Sequence, residues 1–193
     1  MNIALPPEST GEVSFPLLDG ATGRLRRLTP ADFDDVVSLA DSLSEEESYR
    51  RFFAVHPSYV DEWATSLTEP CSGDIALGAY EDGRLIGVGN YAVGAVPASA
   101  EIAVVVAHHH HDRGVGTALL GELGSIARQH GIHHLTADVL AENSPMRLII
   151  RKSPWFVALH RNGTVLDVDV DLDQSNTVSE VAQHHSHARR SST

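Results

Sequence analysis

The chain has 193 residues, 42% apolar and 21% charged, with a formal net charge of −12. That length and balance point to one domain with a real core, and the acidity argues against a nucleic-acid binder, which needs a basic face. No apolar run approaches the roughly 20 residues that span a bilayer.

Residues 1–20 lack the basic start and apolar core of a signal peptide, so the cytoplasm is the expected compartment. They contain prolines and read as an N-terminal arm over the domain, or as partly disordered. Arg24-Leu25-Arg26-Arg27-Leu28 alternates and predicts a first strand. Thr29 is a good N-cap and Pro30 suits the start of a helix with a buried face at Phe33, Val36, Val37, Leu39 and Ala40. Ser44 caps a second short helix, in which Glu45, Glu46 and Glu47 complement the helix dipole. That acidic run reads as a charged first turn rather than a substrate site, with Tyr49, Phe52 and Phe53 facing inward. His56 to Leu67 is a further helical or irregular segment that packs through Tyr59, Val60 and Trp63. Cys71 is the lone cysteine, without a partner for an internal disulfide. Ile75–Tyr80 and Arg84–Val93 predict two strands joined at Glu81-Asp82-Gly83, because Asp-Gly tolerates positive φ.

The chain is organised around residues 100–154. Ala100 to Ala107 is rich in β-branched residues and predicts a strand buried on at least one face. His111-Asp112-Arg113-Gly114-Val115-Gly116-Thr117 follows as a loop with two glycines one residue apart. Ala118, Leu119, Leu120, Leu123, Ile126 and Ala127 then recur at helical spacing, and Gly131 stops the helix. A strand, a glycine loop and a helix N-terminus make an anion site, since the first helical N–H groups lack internal partners and the dipole favours negative charge. His134 to Leu140 predicts the next strand, and Asn143 is a good N-cap for another helix. Trp155–Leu159 and Thr164–Val170 predict a final hairpin around Arg161-Asn162-Gly163. Asp167, Asp169, Asp171 and Asp173 alternate with apolar residues, and without the glycine and distal glutamate of a calcium loop they read as a solvated strand face. Residues 174–193 are rich in Ser, His and Arg and read as a disordered tail.

At these residues the sequence resembles the GNAT family of N-acetyltransferases. That family's phosphate loop reads Gln or Arg, two residues, Gly, one residue, then Gly or Ala. Here the pattern falls on His111 to Gly116, with Arg113, Gly114, Gly116 and Thr117 matching and His111 in the Gln/Arg place. The match continues through Gly131-Ile132, the His134 strand and Ala141-Glu142-Asn143, and ends at Arg151-Lys152-Ser153-Pro154-Trp155. Ala100-Glu101 and Ala141-Glu142-Asn143 are closest in flavour to the bacterial protein-lysine acetyltransferases.

The resemblance implies a mixed α/β domain over residues 21–173, with a mostly antiparallel sheet of about six or seven strands flanked by helices. It implies transfer of an acetyl group from acetyl-CoA to a primary amine, either a protein lysine or a small amine, and a homodimer is compatible with it. The alternative is a catalytically inert acyl-CoA-binding module. Backbone amides from His111 through Asp112, Arg113, Gly114, Val115 and Gly116 to Thr117 would hold the pyrophosphate, with the Asp112 side chain turned outward. Val104, Val105 and Val106 would offer backbone to the pantetheine arm and an N–H to the oxyanion, and Asn143 would add a cofactor contact to its cap. Glu101 is the expected general base: a lone carboxylate in an apolar strand suits that task, and the resembled branch uses a glutamate at the matching place. Ile150 stands where many members carry a tyrosine that protonates the leaving thiolate, and Pro154 replaces a common glycine. No metal site is expected at His108 to His111, because neighbours on an extended chain point to opposite sides, so that at most two imidazoles converge, and no cysteine pair completes a set. Those histidines read as loop surface beside the phosphates.

Overall fold

The computed structural model describes residues 11–52 and 59–175. Its first strand, β1 (Val13–Pro16), arises within the segment read as an arm. It pairs antiparallel with β2 (Thr22–Arg27), and Phe15 stands opposite Gly23. The Phe15 ring covers that glycine so closely that a Cβ there would meet Cζ at 2.4 Å. Val13 and Phe15 alone are too short an alternation to reveal a strand, and Pro16 is tolerated because the strand is an edge. With β1, the sheet has eight strands among the described residues, where six or seven were expected.

The 3₁₀ turn Pro30–Asp32 leads into α1 (Phe33–Asp41), followed by α2 (Glu45–Phe52) and α3 (Val60–Thr68). The hairpin of β3 (Ile75–Glu81) and β4 (Arg84–Val93) turns at Asp82 and Gly83, whose φ values are 48° and 78°. Then come β5 (Ser99–Val106), a 3₁₀ turn at His108–His110, α4 (Val115–Gln129), β6 (His134–Leu140), α5 (Ser144–Arg151), β7 (Trp155–Asn162) and β8 (Val165–Ser175). The strand order is β1-β2-β3-β4-β5-β6-β8-β7, and the pairing is antiparallel except between β5 and β6. This is the mixed α/β, mostly antiparallel architecture that the resemblance implies.

Two cores flank the sheet. On one face α4 buries Leu119 and Leu123 in a cluster with Tyr91, Leu135, Trp155 and Leu172. On the other, Val36, Leu39, Phe52, Trp63 and Leu67 of α1, α2 and α3 pack on Val88 and Val105. Strand alternation divides β5 between them: Val104 and Val106 touch the first cluster, and Val105 lies in the second.

Some expectations are corrected. Tyr49 is exposed, because the buried face of α2 is set by Glu47, Ser48 and Phe52. Tyr59 packs as expected although it is exposed, with its ring edge-on to Phe52 at 6.0 Å and its hydroxyl donating to the Phe52 carbonyl at 2.9 Å. Phe53, residues 1–10 and the tail beyond Ser175 lie outside the described residues, and Gln174 and Ser175 belong to β8. Asp167 and Asp173 are exposed while Leu166, Val168, Val170 and Leu172 are buried, as a solvated strand face requires. Among the described residues no helix is long and apolar enough to cross a membrane.

Candidate functional site

The site begins where β5 ends. Beyond the 3₁₀ turn, Asp112 and Gly114 adopt left-handed φ values of 56° and 91°, and Gly114 caps α4. The first bond into α4 runs from the Ala118 N–H to the Gly114 carbonyl at 3.0 Å. The N–H groups of Val115, Gly116 and Thr117 therefore have no partner within the helix. These residues line a cleft with about 230 Å³ of free space, together with Val105, Val106, His111, Asp112, Gly114 and Asn143. Gly116 brings α5 close: a Cβ there would meet Ile149 Cδ1 at 2.5 Å. Asp112 is exposed at the cleft's rim.

A second opening follows from the strands. β5 and β6 pair only over Ser99↔His134, Ala100↔Leu135 and Glu101↔Thr136, then part. Ile102, Ala103 and Val104 line the resulting slot opposite Ala137 and Val139, while Met146 and Ile149 of α5 line both slot and cleft. Unpaired strand backbone facing a gap offers donors and acceptors to an extended ligand.

Glu101 stands at the point of divergence. It is exposed rather than buried among the apolar residues of its strand, and it lines neither opening. Alternation puts it on the same face as Val105, where its charge reaches Arg51 of α2. Arg113 also lines neither opening, since its guanidinium turns to Glu81 and Asp19. Asn143 caps α5, accepting from the Met146 N–H at 3.1 Å. Ile150 is buried beside the slot and carries no donor. Ser153 is buried and its hydroxyl accepts from the Trp155 N–H at 3.2 Å.

Sequence reasoning misses several cleft residues. Arg50, Arg51 and Lys152 bring cations to its walls, and Leu18 lies at its mouth. Glu47 is the larger surprise. It is more than a charged first turn: the carboxylate is buried, and the Ser44 N–H and hydroxyl donate to Oε2 at 2.9 and 2.8 Å. Burial works to raise this carboxyl, but the Ser44 amide and hydroxyl and the His108 ring outweigh it and hold it below the usual carboxylate range. Oε1 lies 3.0 Å from His108 Nδ1 and 3.2 Å from His111 Nε2. The histidine run is not extended. A 3₁₀ turn sets residues three apart on one side, and the rings of His108 and His111 are 5.4 Å apart. Two imidazoles converge, the most that the run was expected to bring together, and the partner that it did not reveal is a carboxylate from a distant helix. The Ser44-to-Glu47 spacing of a capping box was the available sequence signal for an inward Glu47.

Comparison with known proteins agrees with this geometry. The model of the acetyltransferase (GNAT) family matches residues 37–151. The GNAT domain of S. lividans PAT is 30% identical, covering 83% of this chain and 96% of that one, with a TM-score of 0.74. Acetyltransferase Pat of Mycolicibacterium smegmatis is 27% identical over 166 residues, covering 80% of this chain but 47% of that protein. The chain thus spans about half the length of this curated relative. The PaiA N-acetyltransferase of Thermoplasma acidophilum, solved in complex with coenzyme A, shares the fold at 18% identity and a TM-score of 0.59, covering 77% of this chain and 98% of that one. Family model, relatives and the cleft at the head of α4 agree: this chain belongs to the acetyltransferase (GNAT) family.

Proposed function

We propose that this chain transfers an acetyl group from acetyl-CoA to a primary amine. The observation that carries the reading is the parting of β5 from β6 after Glu101↔Thr136, which opens a slot that shares Met146 and Ile149 with the cleft at the start of α4. The amides from His111 to Thr117 receive the pyrophosphate, helped by Arg50, Arg51 and Lys152 across the cleft. The freed edge of β5 at Val104, Val105 and Val106 pairs with the pantetheine arm, and one of its N–H groups stabilises the oxyanion. Glu101, exposed at the divergence, takes the proton of the attacking amine directly or through water. With Ile150 in the tyrosine's place, water protonates the leaving thiolate. Asn143 holds the head of α5 against the cleft.

A protein lysine is the acceptor we favour over a small amine. The support is the likeness to the two Pat proteins and the Ala100-Glu101 and Ala141-Glu142-Asn143 pattern. An exposed base where the two strands begin to part suits a side chain presented by another protein. The setting that fits is the bacterial cytoplasm, in keeping with the bacterial sources of those relatives.

Calorimetric titration with acetyl-CoA, followed by thiol release in the presence of amine acceptors, tests the reading. Acetyl-CoA should bind, and Glu101→Gln should keep binding while abolishing turnover. Binding with no turnover for any amine, unchanged by Glu101→Gln, would make the chain an acyl-CoA-binding module. Absence of binding would remove the reading altogether.

A further inference from the structure

We propose that Glu47, His108 and His111 form a binding site for one divalent first-row transition-metal ion of the zinc class. Their donor atoms all lie within 4.8 Å of one another. Two imidazoles and one carboxylate are a donor set that zinc, cobalt and nickel accept, and three protein ligands leave a coordination position open. The carboxylate is already oriented: both Ser44 donors engage Oε2, so Oε1 is presented to the two rings. Such outer hydrogen bonds fix ligands in metal sites. The His108 side chain is 65% exposed, which gives an ion a path from solvent and leaves the open position to water. His111 Nε2 now donates to the Val106 carbonyl at 2.8 Å. His108 Nδ1 likewise faces the Glu47 carboxylate as a donor. On binding, each of these nitrogens gives its lone pair to the ion, and its proton moves to the other nitrogen of its ring or to solvent. The neighbouring His110 is not part of the set, because its Nδ1 is held by Arg113 at 2.7 Å.

The test is titration of the metal-free full chain with Co²⁺, followed by its visible absorption and checked by displacement with Zn²⁺. One equivalent should bind and give the bands of cobalt bound to imidazole and carboxylate. His108→Ala and Glu47→Gln should each weaken binding by about 10- to 100-fold, and Ser44→Ala by about tenfold. His109→Ala and the combined His184→Ala, His185→Ala, His187→Ala variant should leave the affinity unchanged. His108 is exposed, so its variant keeps the fold even where Glu47→Gln disturbs α2, and circular dichroism verifies this. No binding, binding that survives His108→Ala, or binding lost with the tail histidines would each overturn the proposal.

Discussion

Arg113 and Glu81 form a two-point ion pair, with Nη1 and Nη2 donating to the two carboxylate oxygens at 2.7 and 2.6 Å. Nε donates to Asp19 at 2.7 Å. The Arg113 hydrogen bonds hold the Glu81 carboxyl below its ordinary range and push the guanidinium upward. The Arg113 carbonyl accepts from the Leu18 N–H at 3.1 Å. Arg113 is therefore a strut that ties the glycine loop to the β3–β4 hairpin and the β1–β2 connection. Arg113→Ala and Glu81→Gln should both weaken acetyl-CoA binding through the shape of the loop. Because they break one contact, the double variant should lose no more than the worse single one. Additive losses, measured by calorimetry, would show that Arg113 meets the ligand by itself.

Gly114 tests the loop's backbone. A Cβ there would find room, its nearest neighbour being Leu18 Cγ at 3.6 Å, but φ is 91°. Gly114→Ala should therefore cost about 1–2 kcal/mol through conformation alone. Acetyl-CoA affinity should fall with it, as the amides of Val115 to Thr117 lose their alignment. Urea denaturation and calorimetry on the same variant read both effects.

How much was legible in the sequence follows from range. The Asp82-Gly83 turn, the glycine loop at the head of α4 and the Asn143 cap are set by neighbours within a few residues, so composition and spacing reveal them. Glu47 meets His108 across 61 residues, and Arg113 meets Glu81 across 32. Those pairings depend on how α2 and the hairpin pack on β5 and its loop, which no local pattern encodes. The exposure of Glu101 has the same origin, since it reflects the divergence of two strands rather than the apolar character of one.

Asp32 makes stability depend on pH. It is 5% exposed, bound by Arg26 at 2.8 and 2.6 Å, by the Thr29 N–H and hydroxyl at 2.8 Å each, and by the Tyr80 hydroxyl at 3.0 Å. The Arg26 bonds foremost, with those from Thr29 and Tyr80, outweigh burial and hold its carboxyl far below the ordinary range. A lowered native value means that the stabilisation is complete above the unfolded carboxyl's pKa of about 3.9, and is lost as pH falls below it towards the native value. Asp32→Asn should cost about 2–4 kcal/mol near neutral pH, by breaking a buried hydrogen-bonded pair. The gap between wild type and variant should narrow below about pH 4. Thermal melts across this range check it, and a constant gap would place the effect elsewhere.

Gly121 and Gly124 lie one turn apart on α4 and should respond to alanine with opposite sign. A Cβ at Gly121 meets nothing within 4 Å, whereas one at Gly124 would meet Trp155 Cη2 at 2.2 Å and Cζ3 at 2.6 Å. Replacing a helical glycine by alanine gains up to about 1 kcal/mol of backbone entropy, so Gly121→Ala should stabilise by roughly that amount. At Gly124 the same gain is opposed by a rigid indole at the start of β7, buried in the α4 core. Overpacking of this kind costs about 1–3 kcal/mol, and Gly124→Ala should therefore lower the melting temperature. Trp155→Leu removes the ring and should cost stability by opening a cavity. In that background Gly124→Ala should cost much less than it does alone, because the added methyl group then enters the vacated space. A Gly124→Ala penalty that persists without the indole would mean that the helix is held against some other part of the sheet.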